Sequence, residues 1–147
     1  LTELSDSDKV YESIINMSGW TESGDMEYPV RKDGISKDEP PYEKVIKVLE
    51  AFEGTHYQVP PIYSAKIVNG ERAYVAAREG RNIELRPCKV FIREILLLDY
   101  EFPRMEIRVR CSKGTFIRTL AEDIGKRLTG GAYLERLIRT HVGEYEI

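Results

Sequence analysis

The chain has 147 residues, 41% of them hydrophobic and 32% charged, with a formal net charge of −3. That is one domain's worth, long enough to bury a real core, and the balance excludes a disordered or fibrous chain. No apolar run approaches the roughly 20 residues that a membrane-spanning helix needs, so no membrane partner is expected. The first residues, Leu1-Thr2-Glu3-Leu4-Ser5-Asp6, are neither an initiator Met nor a basic and then apolar leader. A cytoplasmic protein, present as a piece of a longer one, is therefore expected.

In chain order, residues 9–18 read as a strand, set between the polar Ser5-Asp6-Ser7-Asp8 and Gly19. Residues 19–40 are rich in Gly, Pro, Asp, Glu and Ser and are expected to form one long loop within the domain. A helix is predicted over about 41–52, because Val45, Val48, Leu49 and Phe52 recur at i, i+3, i+4 and i+7. Pro41 suits its first turn and Gly54 stops it. Tyr57-Gln58-Val59-Pro60-Pro61 must be extended, since proline excludes the helical region for the residue before it. A short strand over 64–68 leads to a turn at Asn69-Gly70. A short helix is predicted over 71–79, ending at Gly80. Ile83 and Leu85 alternate, and after Pro87 so do Cys88, Val90 and Ile92, giving two more strand-like runs.

The next strand is the clearest. Met105, Ile107, Val109 and Cys111 share one face, and Glu106, Arg108 and Arg110 share the other. After Thr115 the period becomes helical, with Ile117, Leu120, Ala121, Ile124 and Leu128 on one stripe. Gly114 permits a tight turn and Thr115 is the predicted N-cap. A last segment, 132–147, completes the chain. Strands and helices mix without regular βαβ alternation, so the expected class is α+β, with a largely antiparallel sheet flanked by helices.

The net charge conceals a gradient. Residues 1–53 carry 6 basic and 13 acidic side chains, residues 63–93 carry 7 and 3, and residues 104–147 carry 9 and 6. The later segments suit either a basic face for a phosphate backbone or a set of ordinary solvated arginines; charge alone does not decide. Cys88 and Cys111 lack metal-ligand spacing and sit on apparent inward faces of strands, so buried free thiols are expected. His56 and His141 have no acidic or thiol partner at a recognisable spacing, and each reads as a surface or satisfied side chain. No nucleotide-cradling glycine loop and no metal motif occurs, so no cofactor is expected.

The most informative stretch is Cys111-Ser112-Lys113-Gly114-Thr115-Phe116-Ile117-Arg118, a strand-to-helix junction that puts Arg118 in the first helical turn. Taken alone, Arg118 suits an i,i+4 surface pair with Glu122, worth about 0.3–0.5 kcal/mol. The motifs around it favour another role. Lys9-Val10-Tyr11 comes first, then Gly54-x-x-x-Gln58-x-Pro60-Pro61-x-Tyr63-Ser64-Ala65 and Gly70-x-x-x-Tyr74-x-x-x-Arg78-x-Gly80. The junction follows, continuing through Thr119-Leu120 to Asp123-Ile124-Gly125, and the series ends in Gly131-Ala132-x-x-x-x-Leu137-x-Arg139-Thr140. In content and order this series resembles the TruB family of tRNA pseudouridine synthases, over roughly residues 8–25 and 50–147.

The resemblance implies the pseudouridine synthase fold, present here in part, and a reaction without metal or organic cofactor. Such enzymes flip a uridine out of the tRNA T-loop, break its glycosidic bond with an aspartate's help, turn the uracil and rejoin it through carbon 5. The site must stack the extruded base and exclude water. Tyr11 matches the tyrosine that stacks on the base, and Arg118 matches the arginine that pairs with the aspartate and keeps it charged. Leu137 matches an apolar residue of the uracil pocket, and Phe116 and Lys113 belong to the same substrate-binding set.

Three departures qualify the match. The Gly-x-Leu-Asp-Pro motif that carries the nucleophile is missing from these residues, and neither Asp25 nor Asp123 replaces it. Phe116 stands where tyrosine is common, and Ile67 follows Lys66 where a second lysine is expected. The chain also stops at Ile147, short of the RNA-binding extension of many relatives. The expectation is thus the later part of a catalytic domain, inactive alone and completed by an upstream segment. It should be monomeric, with tRNA as its partner. A non-catalytic RNA-binding module that keeps the pocket is the alternative.

Overall fold

The computed structural model describes residues 8–59, 67–68, 71–72 and 86–142. Its elements run β1 (Lys9–Asn16), α1 (Tyr42–Ala51), β2 (Gly54–Gln58), β3 (Ile67–Val68), β4 (Glu71–Arg72), β5 (Cys88–Glu101), β6 (Arg104–Cys111), α2 (Ile117–Leu128) and β7 (Tyr133–Val142). Five of the strands make one antiparallel sheet in the order β2-β5-β6-β1-β7, and β3 pairs with β4 alone. The α+β class expected from the mixed periods is the one observed.

Alternation decides which face is covered. Met105, Ile107, Val109 and Cys111 of β6 are all buried, and their cross-strand partners Ile15, Ser13 and Tyr11 on β1 point the same way. Helices α1 and α2 lie on this face, closing one core with Val45, Leu49, Ile117, Leu120 and Ile124. Each such aliphatic side chain contributes about 1.5–3 kcal/mol on burial. Burial also pushes the Cys111 thiol up to about 11, so it stays protonated and unreactive at neutral pH. Cys88 is likewise in no disulfide but only half-buried, because it opens β5 at the sheet's outer end.

The opposite face has no helix among the described residues. Arg108 bonds Glu12 at 2.8 Å directly across from it, and Arg110 meets Glu94 at 3.5 Å. Arg93 reaches Asp8 at 3.0 Å and Arg104 reaches Glu135 at 2.9 Å. Much of the positive charge counted in the later segments is therefore neutralised by neighbouring strands.

Several sequence expectations need correction. Glu71 and Arg72 do not open a helix: they pair with Val68 and Ile67, as the hairpin signal of Asn69-Gly70 favours. The remainder of that expected helix, the Ile83–Leu85 run and the Tyr63-Ser64-Ala65 motif lie outside the described residues. Strand β5 continues to Glu101, nine residues beyond Ile92, through irregularities at Ile92/Glu94 and Leu97/Asp99 that break the alternation. Thr115 does not cap α2. Its hydroxyl donates to the Ser112 carbonyl at 2.8 Å, and Phe116 occupies the N-cap position.

Candidate functional site

The position of Arg118 follows from how α2 is tied at both ends. Strand β6 finishes at Cys111, opposite Lys9 at the start of β1. Gly114, at a φ of +87°, turns the chain back so that α2 begins at that same end of the sheet. The buried Gln58 fixes the start: its Oε1 accepts from the Phe116 amide at 2.8 Å and its Nε2 donates to the Phe116 carbonyl at 3.1 Å. At the other end, the Thr129 hydroxyl donates to the Met17 carbonyl at 2.8 Å, just past the end of β1. Helix α2 thus runs alongside β1, and its first turn lies at the Tyr11 end.

Tyr11 and Leu137 share the sheet face that α2 covers. Tyr11 stands opposite Arg139, and Ser13 stands opposite Leu137, two residues along the same strand pair. Tyr11 packs against the edge of the core, whereas Leu137 remains 45% exposed although it is on the inward face. An apolar side chain left open beside a half-buried aromatic ring and a basic helix start is suited to hold a planar base. Lys113 is exposed in the turn before α2, and Phe116 is half-buried with its backbone held by Gln58. All five residues singled out from the sequence therefore lie on β1, β7 or the β6–α2 junction.

One residue set aside as a nucleophile in the sequence reading has a place in this site that the reading did not foresee. Asp25, in the loop after β1, faces Arg118 with Oδ2 3.5 Å from Nη1. Its other oxygen accepts from the Ser23 hydroxyl at 2.7 Å and from the Glu27 amide at 3.0 Å. Thr21 donates to the Asp25 carbonyl at 2.6 Å, and the Leu134 amide bonds the Gly24 carbonyl at 2.8 Å, tying the loop to β7. Asp25 is thus a carboxylate held in advance, aimed at a guanidinium that it touches only at long range. The Glu122 pair considered for Arg118 is not formed; Glu122 lies nearby, and its carboxyl is raised above the usual range, chiefly by burial. Among the described residues no group of His, Cys, Asp and Glu could hold a metal ion.

Residues 1–117 match the family model described as TruB family pseudouridylate synthase (N terminal domain). The chain belongs to the TruB family. Within it, similar curated relatives include tRNA pseudouridine synthase B of Bacteroides fragilis, 43% identical over 139 residues, covering 95% of this chain and 59% of that protein. The Francisella philomiragia protein of the same name is 43% identical over 144 residues, covering 98% and 48%. This TruB-family chain spans about half the length of the curated relatives it matches. Among solved structures it is similar to a chain of a Cbf5-Nop10-Gar1 complex, with a TM-score of 0.63 at 24% identity, covering 92% of this chain and 30% of that one. A chain of an H/ACA RNP bound to a substrate RNA containing 2'-deoxyuridine follows at 0.58 and 23%. At such identities the likeness shows the shared pseudouridine synthase fold.

Proposed function

We propose that the protein of which this chain is a part converts uridine to pseudouridine in a structured RNA, with the T-loop of tRNA as the substrate. The observation that carries the reading is Arg118. It is half-buried at the start of a helix, and Asp25 at 3.5 Å is its one ion-pair partner among the described residues. No other hydrogen bond engages its fork of donors among them, with the raised Glu122 carboxyl nearby. A guanidinium so placed suits a second carboxylate, which it would keep ionised for attack on the nucleoside. That carboxylate is the nucleophilic aspartate of a Gly-x-Leu-Asp-Pro segment in the longer protein. Tyr11 stacks on the flipped uracil, Leu137 and Phe116 line its pocket, and Lys113 meets the RNA backbone. Asp25 acts as a positioning residue, holding Arg118 through the loop that Ser23 and Thr21 brace.

Beside that nucleophile, what these residues supply is binding, orientation and exclusion of water. The test is tritium release from 5-tritiated uridine in a T-loop stem, using the full-length protein. Turnover that survives Arg118→Ala would sink the assignment. The chain by itself is expected to show no turnover, and activity from it alone would remove the upstream aspartate from the mechanism.

A further inference from the structure

A second cavity lies on the other flank of α2, between the end of α1 and β2. Its volume is about 350 Å³, within the usual range for a small-ligand pocket. Ile92 and Leu120 form its apolar bottom, and His56 and Tyr57 stand at its β2 side. His56 and Gln58 point to the helix side of β2, and Tyr57, 71% exposed, alternates with them and turns its ring to the other side, so only its backbone borders the cavity. Arg127 stacks on Phe52 at 4.6 Å and closes one wall. His56 packs against the same Phe52 ring, with its Nε2 buried and without a hydrogen-bond partner among the described residues.

Asp123 and Lys126 complete the lining. They are three apart on α2 and so share one side of it. Among the described residues Asp123 makes no hydrogen bond or ion pair. Its carboxyl is raised above the usual range, first by burial, against the pull of Lys126, Arg127 and His56. A desolvated, unpartnered carboxylate beside an ammonium is a recognition pair for one kind of planar ligand. Guanine presents two adjacent donors, its ring N1–H and exocyclic amine, next to the O6 acceptor. Adenine and cytosine present a ring acceptor where guanine has N1–H. Uracil flanks its single donor with two acceptors.

We infer that this cavity binds a single unstacked guanine base, with Asp123 accepting from its two donors, Lys126 donating to O6, and the apolar floor of Ile92 and Leu120 against the ring. The base can come from an RNA strand or from a free nucleotide, and two arms of one experiment separate these sources. In the first, the full-length protein is titrated with GMP, AMP, CMP and UMP while backbone amide shifts are followed. GMP should perturb Tyr57, Gln58 and the amides of residues 120–127, with the other three binding about tenfold more weakly. Asp123→Asn should abolish that preference, and Lys126→Ala should weaken GMP if the asparagine variant folds poorly. Equal shifts with all four nucleotides, or none at these amides, would overturn the inference.

In the second arm, a guanine-containing single strand replaces GMP. Competition with GMP for the same amides assigns the base to RNA, and GMP binding without competition assigns it to a free nucleotide. Arg118→Ala keeps the GMP response while removing turnover in the full-length protein, so failure of this site and failure of the uridine site are read separately.

Discussion

The two flanks of helix α2 handle charge in opposite ways. Arg118 and Glu122 face the loop after β1, where a braced carboxylate, Asp25, comes to meet the cation. Asp123, about 100° further round the helix, faces α1 and β2. There the half-buried acid makes no hydrogen bond or ion pair among the described residues, and only the nearby charges of Lys126, Arg127 and His56 act on it. The first flank is organised by the protein's own loop before any substrate arrives. The second leaves its polar groups to something outside the described residues. The contrast shows that burial alone does not single out a candidate site: the flank with the better-satisfied charge is the one placed beside Tyr11 and Leu137.

The largest test of the contrast is Arg118→Ala in the full-length protein. Turnover on T-loop RNA should fall by about 100-fold or more, in the range seen when one pre-set electrostatic group is removed from an active site. Asp25→Asn keeps the shape and removes the charge, and should cost about tenfold, since it acts through Arg118. Single-turnover rates at saturating RNA check both. A loss for Asp25→Asn as large as for Arg118→Ala would make Asp25 more than a positioning residue.

Next comes the loop itself. Gly24 has a φ of +85°, and a Cβ there would meet Glu122 Oε1 and lie 3.2 Å from the Arg118 Cβ. Gly34 has a φ of +80° with nothing within 4 Å of the same point. Gly34→Ala therefore carries only backbone strain, about 1–2 kcal/mol. Gly24→Ala carries that strain plus crowding against α2, and it should also lower turnover by moving Asp25 off Arg118. Urea denaturation of the pair separates strain from crowding, and equal losses would mean that the loop does not press on the helix.

How much of this was legible in the sequence depends on the reach of each signal. The β6–α2 junction could be read because a period of two gives way to a period of 3.6 within a few residues. The order of the motifs then singled out Tyr11, Arg118 and Leu137. The pairing of Asp25 with Arg118 could not be read, because the two are 93 residues apart and the stretch from Thr21 to Glu27 signals only a polar turn. The one local hint was Ser23 placed two residues before Asp25, a spacing that lets a hydroxyl brace the carboxylate. Thr115 misled for the opposite reason. A local cap was available, but Gln58, on a distant strand, took over the Phe116 amide. Local patterns fixed elements; long-range side chains fixed the site.

That long-range clamp gives the third test. Gln58→Ala leaves the Phe116 amide and carbonyl at the buried start of α2 without their side-chain partners, at a cost of about 1–3 kcal/mol. Both flanks should suffer, because the clamp sets the first turn and Gln58 also lines the second cavity. If the measured loss is near zero, α2 is held by its apolar stripe alone.

The smallest expected effect concerns the two acids themselves. Burial holds the carboxyls of Glu122 and Asp123 above their ordinary pKa values, so each folded-state pKa exceeds the unfolded one. Between those two values the native state binds more protons, and stability falls as pH rises through the folded pKa. At neutral pH both charged carboxylates are therefore a net burden, and Glu122→Gln and Asp123→Asn should each raise the melting temperature there. The gain should vanish below the ordinary carboxylate range, about pH 4, where the wild-type groups are already neutral. The flanks should nevertheless differ once ligand is added. GMP should stabilise the wild type and Glu122→Gln alike and Asp123→Asn by less, no more than AMP does, because ligand that binds only the native state raises its stability by mass action. Two acids with the same pKa direction would then be separated by what each one faces.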